Sequence, residues 1–514
     1  MKEDAVTRRN LVFFPLGTVG RDMVYNLVTT YLYSFVLFTH KLTPAQLTAI
    51  GAIMVAARIF DALNDPIMGN IIERTRTRWG KFKPWQVIGI LTTSLVIYLA
   101  FNVQLQGWRF VLFFGLIYFA YSITYTMHDI SYWGMVPALS SDADTRNRFT
   151  SLATLCAGIG GTIAGSLIPM LTAGKLTIGG NAVHAYGVIA LIIAILAPAF
   201  LAFTVFGVRD QRDYNKDQVP PVSFKKIWTT ITRNDQLLWI SLIFLIQEVG
   251  NGIVLAGMGS TYIYFEFGYN GGLYTIFNTV GMAVTALLMI FYPAISRKVR
   301  RKQLMNQLML IAAIGYAVML LPALLLKTGA AFLLGLDLKF ILITLGYMLA
   351  NFGQYGFYLI MMISIMNTVE YNEVKFGVRD EGIISSLRPF LTKMASAITI
   401  AIANLTYIAF HLLNYTNGIA EQEQIANQKL MEISPQAEEL GNLISAEKEA
   451  AIRSLLQDVQ HWQSHALLLV MTLAPCMLMF LSFLLYKKHY TLDEPEYERI
   501  CRELEDRKGK VEEQ

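Results

Sequence analysis

Long apolar runs separated by short charged segments dominate the chain. Six runs lie near 11–38, 45–72, 84–103, 109–137, 150–173 and 185–207. After a polar stretch six more lie near 236–267, 272–296, 304–327, 338–368, 382–412 and 465–487. A helix needs about 20 apolar residues to cross the hydrocarbon core of a bilayer. Within lipid it must also satisfy its own backbone hydrogen bonds. The pattern therefore predicts an all-α membrane protein of about twelve spans. The polar stretch from Val208 to Asp235 holds Arg209-Asp210-Gln211-Arg212-Asp213 and Pro220-Pro221. It divides a six-helix bundle over 1–210 from a second over 236–488, with 211–235 as a cytoplasmic loop and 489–514 as a cytoplasmic tail.

Loop charge orients the chain. Arg74, Arg76, Arg78, Lys81 and Lys83 follow the second run, and Arg297, Lys298, Arg300, Arg301 and Lys302 follow the eighth. Gly268 to Gly271, after the seventh, carries no charge. Basic loops stay cytoplasmic, so with an even number of spans both termini are expected there. The two basic loops occupy matching places in the two halves. Six plus six spans with this echo point to a two-half transporter. Any polytopic protein has basic cytoplasmic loops, so the matched position is the informative part.

Composition agrees: 54% hydrophobic and 15% charged residues, with a mean hydropathy of +0.44. A soluble domain carries about 25% charged residues. A net charge of +5 on 514 residues gives no support to nucleic-acid binding. Cys156, Cys476 and Cys501 are scattered, so no disulfide or metal framework follows. The first run contains Arg21 and Asp22 and lacks a small-residue cleavage site, which marks a retained span, not a signal peptide.

One loop is unusual. The insert 414–464 falls on the outer side. Ser434-Pro435 and Ser445 have the form of helix starts, and Ile452, Leu455, Leu456 and Val459 make an amphipathic stripe. A small helical hairpin is expected there. The charged tail from Thr491 reads as an amphipathic helix.

Ionisable residues recur inside the spans. Span two contains Arg58-Ile59-Phe60-Asp61-Ala62-Leu63-Asn64-Asp65-Pro66-Ile67-Met68-Gly69. Asp61 and Asp65 are i and i+4, so both carboxylates share one helix face. Burying one acid in lipid costs about 2.5–3.5 kcal/mol on insertion scales. Two together require a cation, a proton or a basic partner. Span one adds Arg21, Asp22 and Asn26, span four adds Tyr125, Thr126, His128, Asp129 and Trp133, and span eleven adds Arg388 and Lys393. Span seven contributes Gln247, Glu248 and Asn251. Any one of these could belong to a structural ion pair. As a set, Asp22, Asp61, Asp65 and Asp129 outnumber the nearby bases unless Arg21, Arg58 and Lys393 all point inward. A bound monovalent cation would close the gap. Asp61, Asn64, Asp65 and Thr126 offer the oxygens that a hard cation such as sodium prefers. A proton on one aspartate is the alternative. Asp22 and Asp129 can accept hydroxyl hydrogens, and Trp133 offers a flat face suited to a pyranose. Trp133 could equally be an interfacial anchor.

Weaker signals have blander explanations. His128-Asp129 resembles half of a catalytic dyad but has no nucleophile motif beside it. Gly158-Ile159-Gly160-Gly161 looks like a phosphate loop, yet it sits in an apolar span, and Gly161 with Gly165 forms a helix-packing GxxxG.

At these residues the chain resembles the glycoside-pentoside-hexuronide:cation symporters of the major facilitator superfamily, the melibiose permease-like group. The resemblance covers nearly all of the chain. It is strongest over Ala57 to Gly69 and Arg78-Trp79-Gly80-Lys81-Phe82-Lys83-Pro84-Trp85. Gly20-Arg21-Asp22 with Asn26, Tyr125 to Ile130 with Trp133, and Glu370-Tyr371 through Lys393 match further family positions. It implies the major facilitator fold and a cation site at Asp61, Asn64, Asp65 and Thr126. It implies a sugar site at Asp22, Asp129 and Trp133 with Arg21 beside it, to which Asn26, Tyr125 and Arg388 are added as candidates. Lys393, with Arg58, would couple the two sites. Arg76, Arg78 and Lys81 are candidates for a cytoplasmic gate. There are departures: Thr150 to Ala157 lacks the arginine that the family places in span five, and Arg388-Pro389 replaces polar residues. An extra cation at Arg388 would favour an acidic sugar such as a hexuronide, unless it caps an acidic loop residue.

The expected protein is a multi-pass protein of the bacterial plasma membrane and not an enzyme. It would import a glycoside, pentoside or hexuronide as a functional monomer, driven by Na+, with H+ or Li+ as alternatives and no cofactor. A lysolipid carrier of the same fold and a membrane-embedded hydrolase are the competing classes.

Overall fold

A computed structural model describes residues 5–512 except 141, 210–223, 297, 330, 433–437 and 460. The central segment 211–223 and the expected helix start at Ser434-Pro435 therefore lie outside the described residues. The remainder is almost entirely helical.

The apolar runs become helices, most with bounds within four residues of those predicted; the first and fifth begin six and seven residues earlier and the tenth runs eight residues further. In chain order they are α1 (Ala5–Asn26), α2 (Leu32–Thr39), α3 (Pro44–Arg74), α4 (Lys83–Asn102), α5 (Gly107–Gly134), the short α6 (Val136–Leu139), α7 (Ala143–Thr172) and α8 (Ala182–Gly207). The polar segment contributes α9 (Phe224–Arg233). Then follow α10 (Asp235–Gly252), α11 (Gly259–Phe267), α12 (Gly271–Ser296), α13 (Arg301–Leu325), α14 (Leu338–Phe376) and α15 (Glu381–Ala409). The insert forms α16 (Leu413–Glu432) and α17 (Glu438–Gln457), and α18 (His461–His489) and α19 (Glu494–Glu512) end the chain. A two-stranded hairpin, Ala331–Leu333 with Leu336–Asp337, lies between α13 and α14.

Among the described residues ten helices are long and apolar enough to cross a membrane, or eleven with the bent α3. The first expected span is the α1–α2 run. A π turn at Leu27–Tyr31 joins its two helices, and Arg21 and Asp22 dilute its apolar content. Local chemistry sets many of the helix starts. Thr43 and Gln46 form a capping box before Pro44, and Asn181, Asn234 and Asp337 cap α8, α10 and α14. α3 bends by 40° between Asp61 and Asn64. Pro66 has no N–H for the carbonyl four residues earlier, which explains a kink there.

Packing divides the chain into two compact units that cut across chain order. Unit 1 comprises 1–219, 255–275 and 403–463; unit 2 comprises 220–254, 276–402 and 464–514. In unit 1, α1 lies against α7 and α8, while α5 lies against α3 and α4. A Cβ on Gly160 would overlap the Val19 backbone, so the glycine run serves close approach of α7 to α1. Unit 2 is built on α13 and α14, around buried Phe244, Phe357, Met361 and Tyr486. Its tail helix α19 buries Ile500 and Leu504 in that same core.

The end of unit 1 that bears the insert is tightly bonded. Tyr33 Oη donates to Asn404 Oδ1 at 2.5 Å, and Thr261 Oγ1 lies 2.5 Å from Tyr407 Oη. The α16–α17 hairpin sits on this face. Its Ser445 is not a helix start: α17 begins at Glu438, and Ser445 Oγ donates to Gly441 O at 3.0 Å inside the helix. A Glu438–Gln457 helix also leaves Val459 beyond its end, while Ile452 is buried as the stripe requires. Glu423 and Lys448 form a buried pair at 3.1 Å. Glu423 also accepts from the Ala182 N–H at 2.6 Å, and Lys448 donates to Gly180 O at 2.8 Å. Gly180 has φ +77°, and a Cβ there would meet the Ser445 hydroxyl.

Candidate cation and sugar sites

α5 presents Ser122, Thr126, Asp129 and Trp133 at spacings of four, three and four residues, which places all four on one helix face. Each meets a partner on α1 or α3. Ser122 Oγ donates to Asp61 Oδ1. Thr126 Oγ1 donates to Asp65 Oδ1 at 3.2 Å. The two aspartates one turn apart on α3 thus meet two hydroxyls one turn apart on α5. Arg58 Nη1 lies 3.6 Å from Asp61 Oδ2. Asn64 is close by in sequence, and its Nδ2 is buried with no protein acceptor. Asp61, Asp65 and Thr126 are therefore brought together, with Ser122 as an added oxygen donor.

Three residues further along α5, Asp129 meets α1. Arg21 Nη1 lies 2.8 Å from Asp129 Oδ1, and Arg21 Nη2 lies 2.7 Å from Asp22 Oδ2. One guanidinium thus clasps both aspartates of the expected sugar site. Its carbon stands 5.0 Å from the centre of the Trp133 ring, so Trp133 faces this cluster. Tyr125 is beside Asp129 and Arg21, with its ring 6.0 Å from that of Tyr25. Asn26 is set differently. Its amide lies toward Gly161 of α7 and donates to Asp22 O at a long 3.5 Å, so it supports the α1–α7 contact beside the site.

Four carboxylates (Asp22, Asp61, Asp65, Asp129) share this wall with two guanidiniums, those of Arg21 and Arg58. Arg21 is committed to Asp22 and Asp129. Each end thus sets two carboxylates against one guanidinium, and the α3 end adds hydroxyl oxygens from Ser122 and Thr126 to those of Asp61 and Asp65, with Asn64 next to them in sequence. That donor set fits a hard monovalent cation. The alternating pattern on α5 was the available signal for Ser122; its pairing needed the α3–α5 contact.

The remaining candidates lie elsewhere. Lys393 and Arg388 are on α15 in unit 2. Arg388 is exposed, with Nη1 at 3.4 Å from Tyr358 Oη. In the basic loop Lys81 pairs with Glu73 at 2.7 Å, Arg76 Nη1 donates to Glu73 O at 2.6 Å, and Arg78 is exposed. Within unit 1 these contacts are local to the loop. His128 is fully buried, with both ring nitrogens lacking a protein partner, and it packs on the Gly89 backbone. Asp129 bonds to Arg21 instead, so the two do not form a dyad.

Paired carboxylates and an arginine-bridged polar cluster inside membrane helices mark a substrate or ion path, which is the sign of a membrane transporter. The chain belongs to the MFS/sugar transport protein family, whose model matches residues 13–434. It is 28% identical to the lactose permease of Leuconostoc lactis over 76% of this chain and 61% of that protein. It is 28% identical to the raffinose carrier protein of Pediococcus pentosaceus over 76% of this chain and 60% of that protein. With the isoprimeverose transporter of Lactiplantibacillus pentosus it shares 25% identity over 77% of this chain and 80% of that protein. The matched region thus spans about three fifths of the length of the lactose permease and raffinose carrier. Among solved structures, a bacterial homologue of the human lysosomal transporter Spinster aligns with a TM-score of 0.57 at 12% identity, covering 94% of this chain and 97% of that one. The nucleoside transporter NupG aligns at 0.58 and 12% identity, covering 82% and 99%. These likenesses bear out the fold and the resemblance to the glycoside-pentoside-hexuronide symporters. The chain is a multi-pass protein of the bacterial plasma-membrane type, in a family of transporters and not of enzymes.

Proposed function

We propose that the chain is a cation-coupled symporter that imports a glycoside by alternating access, with Na+ as the favoured cation. The observation that carries this reading is the α5 stripe. Ser122 and Thr126 face the α3 aspartates, and Asp129 and Trp133 face the α1 cluster, all on one stretch of one helix from Ser122 to Trp133. From Thr126 to Asp129 the rise is only about 4.5 Å. A cation held between Asp61 and Asp65 draws the lower part of α3 toward α5. The same helix then sets Asp129 against Asp22 and Arg21, where a sugar's hydroxyls bind.

Coupling on this reading is reciprocal: the cation raises sugar affinity and the sugar raises cation affinity by the same factor. Relatives named for lactose, raffinose and isoprimeverose support a neutral glycoside as cargo. Loading from outside requires the outer bonds of unit 1, such as Tyr33 to Asn404, to part. Lys393 serves in coupling, as the family resemblance implies, and Arg76, Arg78 and Lys81 act at the cytoplasmic gate. The transporter works as a monomer.

The test is thermal stabilisation of the purified protein by lactose, raffinose, isoprimeverose and hexuronides, in sodium chloride and in choline chloride. Stabilisation that needs both a sugar and sodium, and is lost in Asp65→Asn, supports symport. Sugar stabilisation equal in both salts removes sodium coupling, and no response to any sugar removes the sugar itself.

A further inference from the structure

The α16–α17 insert walls a cavity. About 760 Å³ of space lies between α17 and the loops that follow α7 and α11, all within unit 1. Small-ligand clefts range from about 300 to 1,000 Å³. No residue of α1, α3 or α5 lines it, so it is separate from the aspartate cluster on those helices. The α17 wall is a single helix face: Glu449, Ile452, Arg453, Leu456 and Gln457 fall at i, i+3, i+4, i+7 and i+8, and all five line the cavity. That face is anchored at the residue before it begins. Buried Lys448 pairs with Glu423 at 3.1 Å and donates to Gly180 O at 2.8 Å. The two loops are tied to each other, because the Gly271 N–H donates to Ala173 O at 3.1 Å. Tyr269 is held by an edge contact with Tyr264, their ring centres 5.0 Å apart. The walls are thus fixed before any ligand arrives, which lowers the cost of binding one.

The lining selects the occupant. Lys175 and Arg453 set two positive charges against those of Glu266 and Glu449, so the lining carries no net charge. Phe267 and Tyr269 add aromatic residues, and Asn270 and Gln457 add amides. Among the described residues, the side chains of Lys175, Glu449, Arg453 and Gln457 have no hydrogen-bond or ion-pair partner, and Arg453 is exposed and Glu449 half-buried. They are open to a ligand. Charged donors and acceptors beside aromatic rings suit a neutral ring rich in hydroxyls, which can both give and accept hydrogen bonds. An anion would meet a carboxylate for each base, and an apolar chain would strip water from four charges.

We propose that this cavity is a second saccharide site, which binds a neutral sugar between α17 and the loops after α7 and α11, with Glu449 and Arg453 as its main polar contacts. The site goes beyond the symport reading and does not depend on it. None of its lining residues is on α3, so sugar binding here needs no coupling cation.

The experiment follows hydrogen exchange of the full chain at 173–176, 266–272 and 449–457. Lactose, raffinose, isoprimeverose, glucuronate, inorganic phosphate and glycerophosphoethanolamine are titrated in turn, in sodium chloride and in choline chloride. At least one neutral sugar should slow exchange in all three segments, equally in both salts. It should do so in Asp22→Asn as well, which disables the cluster on α1 and α5. Arg453→Ala and Glu449→Ala should each raise the sugar concentration for half-protection roughly ten- to a hundred-fold, the loss expected for hydrogen bonds to a charged group. Neither side chain has a protein partner among the described residues, so neither change takes a bond from the fold. Protection by glucuronate, phosphate or glycerophosphoethanolamine and by no neutral sugar overturns the assignment. So does protection that needs sodium, that is lost in Asp22→Asn, or that is unchanged in both alanine variants. Sodium-dependent thermal stabilisation, read in parallel, keeps the two readings apart. If it is absent while protection persists, symport fails and this site stands; if it is present while no sugar protects the three segments, this site alone fails.

Discussion

Replacing Lys448 with methionine isolates the bond that seats the α16–α17 hairpin. Lys448 and Glu423 have side-chain exposures of 2% and 0%. Glu423 accepts from Lys448 Nζ at 3.1 Å and from the Ala182 N–H at 2.6 Å, with the Tyr269 hydroxyl as a further donor. Tyr264 and Tyr186 are the other titratable groups around it. Methionine keeps most of the lysine stem but removes the charge, which leaves a buried carboxylate uncompensated. Breaking such a pair on one side costs about 3–5 kcal/mol. At 1.36 kcal/mol per decade the hairpin should open roughly two to almost four decades more often.

Proton uptake is the escape route, and it fixes the sign. Burial already pushes the Glu423 carboxyl above its ordinary range, with Lys448 pulling it back. Without Lys448 the rise is larger. The docked form then binds more protons than the open form. Docking is therefore fully present below the pKa of the open form and is lost as pH rises through that of the docked form. Hydrogen exchange across 413–457 at about pH 5 and about pH 8, corrected for intrinsic rates, reads this directly. Lys448→Met should be protected at the lower pH and exchange rapidly at the higher one. Glu423→Gln/Lys448→Met, with no charge to bury, should recover protection at both. Wild-type protection of Lys448→Met at both values, or better protection at the higher pH, would refute the reasoning.

Ser122→Ala should weaken sodium binding by about 1.5–3 kcal/mol through loss of a hydroxyl at Asp61, read as a shift in the sodium concentration needed for half-maximal stabilisation; unchanged sodium dependence would count against Ser122 as part of the site. At the tail, the Lys302 ammonium holds the Asp493 carboxyl below its usual range. Its contribution to seating α19 is present above the ordinary carboxylate pKa and lost as pH falls through the lowered one. The pair is partly exposed, so Asp493→Asn should loosen α19 by no more than about 1 kcal/mol, and high salt should mask the effect in hydrogen exchange.

Much of the molecule was legible without coordinates because a bilayer enforces simple rules. Apolar runs of sufficient length become helices, and the predicted bounds of α3, α8 and α12 fall within three residues of the observed ones. Acids at i and i+4 share a face, so Asp61 and Asp65 could be paired from spacing alone. Where the rules are statistical, the reading slipped: Ser445 has the chemistry of a helix cap, yet α17 starts seven residues earlier and the hydroxyl bonds back within the helix.

Helix existence, order and the identity of the buried charges were thus properties of the sequence, set by the cost of exposing backbone and charge to lipid. Partnership was not. Ser122 to Asp61, Arg21 to Asp129, and Glu423 against Lys448 join residues on different helices, up to 108 positions apart. Which charges cancel depends on side-chain geometry a few ångströms across, and only the packed helices decide it.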